Sequence, residues 1–283
     1  MDDVAKKIIS SHLNIALLIE NNIVRANIAY ALRKKYDNVH IYDAGTASTS
    51  LKILQDEDLD VIISLVKFEG VPITSVIKSL RNTEGTKQFS IIMLLIYDTS
   101  DIDEYNLFDC GSDDIIIMPV SIKLIYDRLD NLEKNRKPFV VTRDYIGPDR
   151  RKSKRDDDKS EGPLVITAPN PISNKIKYNE NAIKKQYEKF NNDMNDAKVK
   201  AYIKQLHWYS VKISDLQTIF DLNKLIEYAA RTIEIISDLN NFTHKWNKSE
   251  VDTFIEELHK IINKILEENG HNPINNLEDL TKI

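Results

Sequence analysis

Along the first 135 positions, short apolar runs alternate with helical patterns. Ile15 to Ile19, Val39 to Tyr42, Val61 to Leu65, Ile91 to Ile96 and Ile115 to Met118 are near-continuous apolar runs of strand length. Between them apolar residues recur every three or four positions: Ala26, Ala29, Tyr30 and Leu32, then Leu51, Ile53 and Leu54, then Ile73, Val76, Ile77 and Leu80. Leu124, Leu129 and Leu132 mark a last helix. Apolar strands without alternation are covered on both faces, and strands separated by helices pair in parallel. The pattern predicts an α/β fold, a five-stranded doubly wound parallel sheet flanked by about five helices.

The last third reads differently. Leu222, Ile226, Ala229, Ala230, Ile233, Ile236 and Leu239 form one helical stripe, and Val251, Phe254, Ile255, Leu258, Ile261, Ile262 and Ile265 form another. Ser249 with Asp252 suits the start of the second helix and Gly270 its end. A longer, more polar helix is expected from about 179 to 212, carrying Tyr187, Phe190, Met194, Tyr202, Leu206 and Tyr209. This predicts an all-α C-terminal module, a small antiparallel bundle. Its one-sided stripes need apolar cover, so self-association into a homo-oligomer is expected, most simply a dimer in which the long helix pairs across a two-fold axis. A three-helix monomer, or stripes folded back on the first domain, are the competing arrangements.

Composition and charge divide the chain into three. Residues 1–136 carry a net charge of -6, residues 137–175 carry +3, and residues 176–283 carry -2. The middle stretch holds five of the eight prolines (Pro138, Pro148, Pro163, Pro169 and Pro171) and is expected to be a basic linker. The total of -5 argues against a nucleic-acid coat, and the -2 of the last third argues against a DNA-binding module there. No apolar run reaches the ~20 residues that span a bilayer. A single cysteine, Cys110, leaves no disulfide framework, and Asp2 and Asp3 stand where a secretion signal is basic. A cytoplasmic protein without membrane attachment is expected.

The order of certain residues carries a resemblance. Glu20-Asn21 follows the first strand, Asp60-Val61-Ile62-Ile63-Ser64-Leu65 leads through the third, and Gly111-Ser112-Asp113-Asp114 precedes the fifth, which ends Met118-Pro119. Residues 13–135 resemble the CheY-like receiver domains of bacterial response regulators. The resemblance implies a flavodoxin-like fold and a site with an acidic pair for Mg²⁺, an aspartate nucleophile, a hydroxyl residue, and a lysine before a proline whose peptide bond is commonly cis. Those positions fall here on Glu20 and Asn21, Leu65, Leu95, and Met118 before Pro119. One carboxylate has become an amide, and the nucleophile, hydroxyl and lysine are replaced by apolar side chains. A degenerate pseudo-receiver is expected, with no catalytic residue, no metal and no cofactor. Leu65, Leu95 and Met118 are expected to fill the emptied cleft. Ser64 could substitute as a phosphoacceptor, but a serine inside an apolar strand is more often a packing residue.

Tyr145-Ile146-Gly147-Pro148-Asp149-Arg150-Arg151 resembles a Tyr-x-Gly-Pro-Asp-Arg-Arg string found after receivers in some alphaproteobacterial regulators. A turn at Gly147-Pro148 would present Tyr145, Arg150 and Arg151 to a partner, with Asp156 to Asp158 countering the basic run Arg150 to Arg155. His207 and His244 invite comparison with phosphorelay histidines, although Lys245 departs from the acidic residue that family requires. The expected function is a signalling adaptor, not an enzyme, acting on protein partners of a bacterial pathway. The rivals are a histidine phosphotransfer protein using the C-terminal helices, and a transcriptional regulator.

Overall fold

A computed structural model describes residues 12–151, 164–177, 180–240, 248–277 and 279. The chain divides into two compact units, the first ending at Met194 and the second beginning at Asn195.

The first unit is built on the strands β1 (Leu13–Leu18), β2 (Val39–Ala44), β3 (Val61–Leu65), β6 (Ile91–Ile96) and β7 (Asp114–Ile117). All are parallel, in the order β2-β1-β3-β6-β7. The helices α1 (Asn22–Lys35), α2 (Ala47–Asp56), α3 (Thr74–Asn82), α4 (Ser100–Glu104) and α5 (Ile122–Asn135) flank the sheet. This is the expected flavodoxin-like, doubly wound architecture. Every residue of β1, β3 and β6 is buried, which is why none of them alternates. Short polar side chains start the helices. Asn21 accepts from the Ile23 and Val24 amides before α1, Thr46 from Thr49 before α2, and Ser121 from Leu124 before α5. Sequence periodicity missed a two-residue hairpin after β3, β4 (Lys67–Phe68) with β5 (Val71–Pro72). It turns through Glu69 and Gly70, with φ of 47° and 81°, the positive-φ pair that such a turn needs.

Residues 137–175 were expected to form a linker, and their described part is instead folded onto the receiver-like core. β8 (Phe139–Val141), β9 (Ile146–Pro148) and β10 (Leu164–Ile166) form an antiparallel sheet in the order β10-β8-β9, and α6 (Pro171–Lys177) follows. Phe139 is fully buried, with the guanidinium groups of Arg81 and Arg136 at 4.9 and 5.0 Å from its ring centre. Ile172 of α6 joins the core of the large sheet. Prolines deny helix donors, but a strand start, a buried β9 end and a first helical turn all tolerate them.

The long helix α7 (Glu180–Asp215) runs slightly beyond its expected end. Its first turns belong to the first unit, where Tyr187 stacks on Phe89 at 5.4 Å and Phe190 meets it edge-on at 4.5 Å.

In the second unit, the rest of α7 packs with α8 (Leu222–Asn240) and α9 (Lys248–Glu268). One cluster joins Ile213 and Leu216 to Leu225, Ala229, Leu258, Ile262 and Ile265. A second sets Leu206, with Tyr202 and Tyr209 beside it, against Ile235, Leu239 and Val251. The stripes expected to need a second molecule, and the face expected to pair across a two-fold axis, thus find their cover within one chain. The C-terminus of α9 closes as expected at Gly270 (φ 77°), with the His271 amide donating to Leu266 and the Gly270 amide to Glu267. Ser249 lies inside α9 rather than before it, and its carbonyl accepts from the Thr253 hydroxyl. Among the described residues no helix is long and apolar enough to cross a membrane.

Candidate functional site

In a doubly wound sheet the reactive crevice opens at the carboxyl ends of the strands, where strand order reverses. Here that end carries buried apolar side chains. Leu65 and Leu95 are register partners on β3 and β6, and with Met118 they belong to the main hydrophobic core at 5, 0 and 9% exposure. Phe68 of the hairpin, 3% exposed, joins the same core. The sequence signal for it was the Glu69-Gly70 pair between Phe68 and Val71, a turn dipeptide flanked by apolar residues. The Met118–Pro119 peptide bond is cis, as the resemblance implied.

Glu20 and Asn21, after β1, make local contacts. The Glu20 carboxylate accepts from the Glu69 backbone amide at 2.7 Å, tying the hairpin to the end of β1. Asn21 caps α1. Ser64 is fully buried and donates its hydroxyl to the Leu65 carbonyl at 2.7 Å, so its polar group is satisfied inside the strand. Lys67 reaches Asp101 at 3.6 Å and lies over the Tyr105 ring.

Charge is concentrated elsewhere in the first unit. Asp113 is buried between two arginines, accepting from Arg81 Nη2 at 2.8 Å and from Arg136 Nε at 2.9 Å, while the Ile92 amide donates to it at 2.9 Å. Arg81, fully buried, also donates to the carbonyls of Gly111, Gln88 and Ser90. Burial lowers its pKa to about 10 against the pull of Asp113. Nearer the amino ends of the strands, Asp60 accepts from the Asn14 amide at 2.7 Å and from Lys175 of α6 at 2.6 Å. Burial raises the Asp60 pKa, with Lys175 opposing the shift. Sequence reasoning assigned no role to Arg81, Arg136 or Lys175. A lone charged residue in an amphipathic helix looks like a solvated one until its partner is known.

Lys175→Met should therefore give a pH-dependent loss of stability. The raised pKa means that the folded protein holds the Asp60 proton more tightly than the unfolded chain does. Without Lys175 the shift grows. The deficit against wild type should be smallest in acid, where Asp60 is protonated in both, and should widen as pH rises through the elevated pKa. Urea midpoints measured across that range check it. A deficit independent of pH would assign the loss to packing alone.

The Tyr145 to Arg151 string was expected to face a partner, and in the structure its side chains also make contacts within the chain. The Tyr145 hydroxyl donates to the Pro148 carbonyl at 2.9 Å. Gly147 and Pro148 are buried in β9. Arg150 donates to the Ser112 carbonyl at 2.6 Å and hydroxyl at 2.9 Å, and its guanidinium lies over Phe108. Arg151 pairs with Asp149 at 2.7 Å, and this hydrogen bonding lowers the Asp149 pKa to about 2. The string works as an internal clasp, and its glycine is sterically required. A Cβ on Gly147 would lie 2.7 Å from the Gly111 Cα, itself at φ 91°. Gly147→Ala should cost about 1–3 kcal/mol, read as a lower melting temperature, because two backbones must separate. An unchanged melt would show that the contact yields freely.

His207 is exposed on α7. His244, Lys245 and the run Lys152 to Asp158 lie outside the described residues. Among the described residues no group of three or more metal-ligating side chains is gathered.

No protein-family model and no curated protein matches the chain in sequence. Solved structures do resemble it over its first half. The chemotaxis response regulator CheY4 of Vibrio cholerae is 17% identical over 43% of this chain and 98% of its own, at a TM-score of 0.38. The response regulator DrrB of Thermotoga maritima is 15% identical over 46% and 57%, at 0.39. The receiver domain of the sensor histidine kinase PA1611 from Pseudomonas aeruginosa, solved with magnesium in its active-site cleft, is 16% identical over 42% and 96%, at 0.37. At such identities the similarity is one of fold, to CheY-like receiver domains covering less than half of this chain.

Proposed function

We propose that this protein is a non-catalytic, receiver-like signalling adaptor that works by protein–protein recognition without aspartyl phosphorylation. The observation carrying this reading is the closed cleft. Phosphoryl transfer to a receiver needs a carboxylate oxygen to attack phosphorus, a divalent cation held by acidic side chains, and a cation to neutralise the product. Leu65, Leu95 and Met118 offer none of these groups, and with Phe68 they are buried in the core of the large sheet. Glu20 is engaged with the hairpin backbone and Asn21 with the α1 terminus.

What a receiver scaffold still offers without chemistry is shape, and recognition falls to its exposed faces and to the C-terminal helices. The partner is a protein of a bacterial signalling pathway in the cytoplasm. The -5 net charge disfavours nucleic acid as the alternative partner.

Incubation with acetyl phosphate and Mg²⁺, followed by intact mass measurement, tests the reading. The expected result is an unmodified protein. A one-to-one, Mg²⁺-dependent phosphorylated species would overturn it.

A further inference from the structure

The second unit satisfies its main apolar stripes internally, yet it carries a ridge and a hollow that match in shape and charge. The ridge runs along the outer face of α7. Lys200, Ile203, Lys204, His207, Trp208 and Val211 are all exposed and spaced three or four residues apart, so they share one helical face. Trp208 is 51% exposed, Val211 46% and Ile203 39%. Trp208 meets Tyr209 and Tyr228 edge-on, at ring-centre distances of 4.9 and 6.4 Å, and the Lys212 ammonium lies over its ring at 5.7 Å, which holds a half-exposed indole in place. Lys200 and Lys204 give this face its positive charge, and between Asp196 and Asp215 the helix has no acidic residue to oppose them.

The hollow lies between α8 and α9. Ile233, Ile236, Ile255 and Leu277 make its apolar wall, Glu256 and His259 its α9 side, and its volume is about 430 Å³. That is ample for an aromatic side chain. Asp252, Glu256 and Glu257 are exposed on α9 around it.

We propose that the occupant of this hollow is Trp208 of a second copy of this chain, with the lysines of the α7 ridge against the acidic rim of α9. Ridge and hollow lie on the same module, so a two-fold pairing makes the contact twice. A large, half-exposed tryptophan with basic neighbours is the kind of anchor that dominates interface energetics. Complementary charge at the rim sets the register. This interface differs from the one the sequence pattern suggested, which used Tyr202, Leu206 and Tyr209. Those residues are committed to the core. The inference does not depend on the state of the receiver-like cleft.

Sedimentation equilibrium of the full chain up to ~100 µM tests it. The expected result is a reversible dimer, with Trp208→Ala weakening association by about 10-fold or more. Circular dichroism melts confirm that the variant folds. Lys204→Glu, a change at an exposed position, should weaken the dimer as well, and Glu256→Lys in the same chain should restore part of the loss. With Trp246→Phe as background, the emission of Trp208 should move to shorter wavelength as the dimer forms. A monomer throughout that range overturns the proposal, whatever else then fills the hollow. So does a dimer indifferent to both Trp208→Ala and Lys204→Glu, or a Trp208 emission that stays that of a solvated indole.

Discussion

Asp113→Asn should be among the most damaging single substitutions in the first unit. The carboxylate is 1% exposed and sits between Arg81 and Arg136, whose side chains are 0 and 3% exposed. An amide keeps the size but removes the charge, and it turns hydrogen-bond donors toward groups that can only donate. Two buried guanidinium groups then face each other without a counter-ion. Breaking a buried pair in this way costs about 3–5 kcal/mol, and each kcal/mol lowers the melting temperature of a unit this size by roughly 2–4 °C. Asp114→Asn, one residue on, is the internal control. Asp114 meets Arg128 at 3.5 Å, and that arginine is 46% exposed, so the change should stay within about 1 kcal/mol. Thermal melts of both variants check this. Equal effects would mean that the Arg81–Asp113–Arg136 group contributes no more than a surface pair.

Leu65→Asp should restore the aspartate that the receiver resemblance implies and yet not restore its chemistry. Leu65 is buried against an apolar set, and the lysine position is Met118. A carboxylate placed there without a cation should cost on the order of 2–4 kcal/mol. Acetyl phosphate should still leave the variant unmodified, because the second acidic ligand is an amide at Asn21 and the hydroxyl position is Leu95. A variant as stable as wild type would show that the cleft is open to water. A phosphorylated variant would show that Leu65 alone blocks the reaction.

The pattern of the chain made much of this fold legible. Five apolar runs, Ile15 to Ile19 through Ile115 to Met118, became the five strands of the sheet, most plainly β1, β3 and β6, where burial on both faces leaves a signature that needs no partner to be read. Leu65, Leu95 and Met118 were legible as buried residues from their place in or beside those runs. The segment from Pro138 to Lys175 was misread. Its prolines and basic residues suggest a solvated tether when counted alone, yet Phe139, Gly147 and Arg150 are held by Arg81, Gly111 and Ser112, residues that only folding brings near. The Tyr145 to Arg151 string was visible as a motif, but whether it faced a partner or its own domain had no local signature.

Sequence by itself determined what depends on short range. Continuous apolar runs and period-3.6 hydrophobicity set the strand and helix types, Asn21, Thr46 and Ser121 start three of the helices, and Gly270 ends α9. Side-chain identity alone put apolar residues at positions 65, 95 and 118, where the receiver resemblance implies reactive ones. The tertiary structure decided which charges became internal. Asp60 finds Lys175 across 115 positions, and Asp113 finds Arg81 across 32. It also decided that the stripes of α8 and α9 close on α7 of the same chain. The physical reason is one of range. Backbone preference and amphipathic period act within a few residues, whereas a buried ion pair or a close glycine contact exists only once distant segments have already been brought into van der Waals contact.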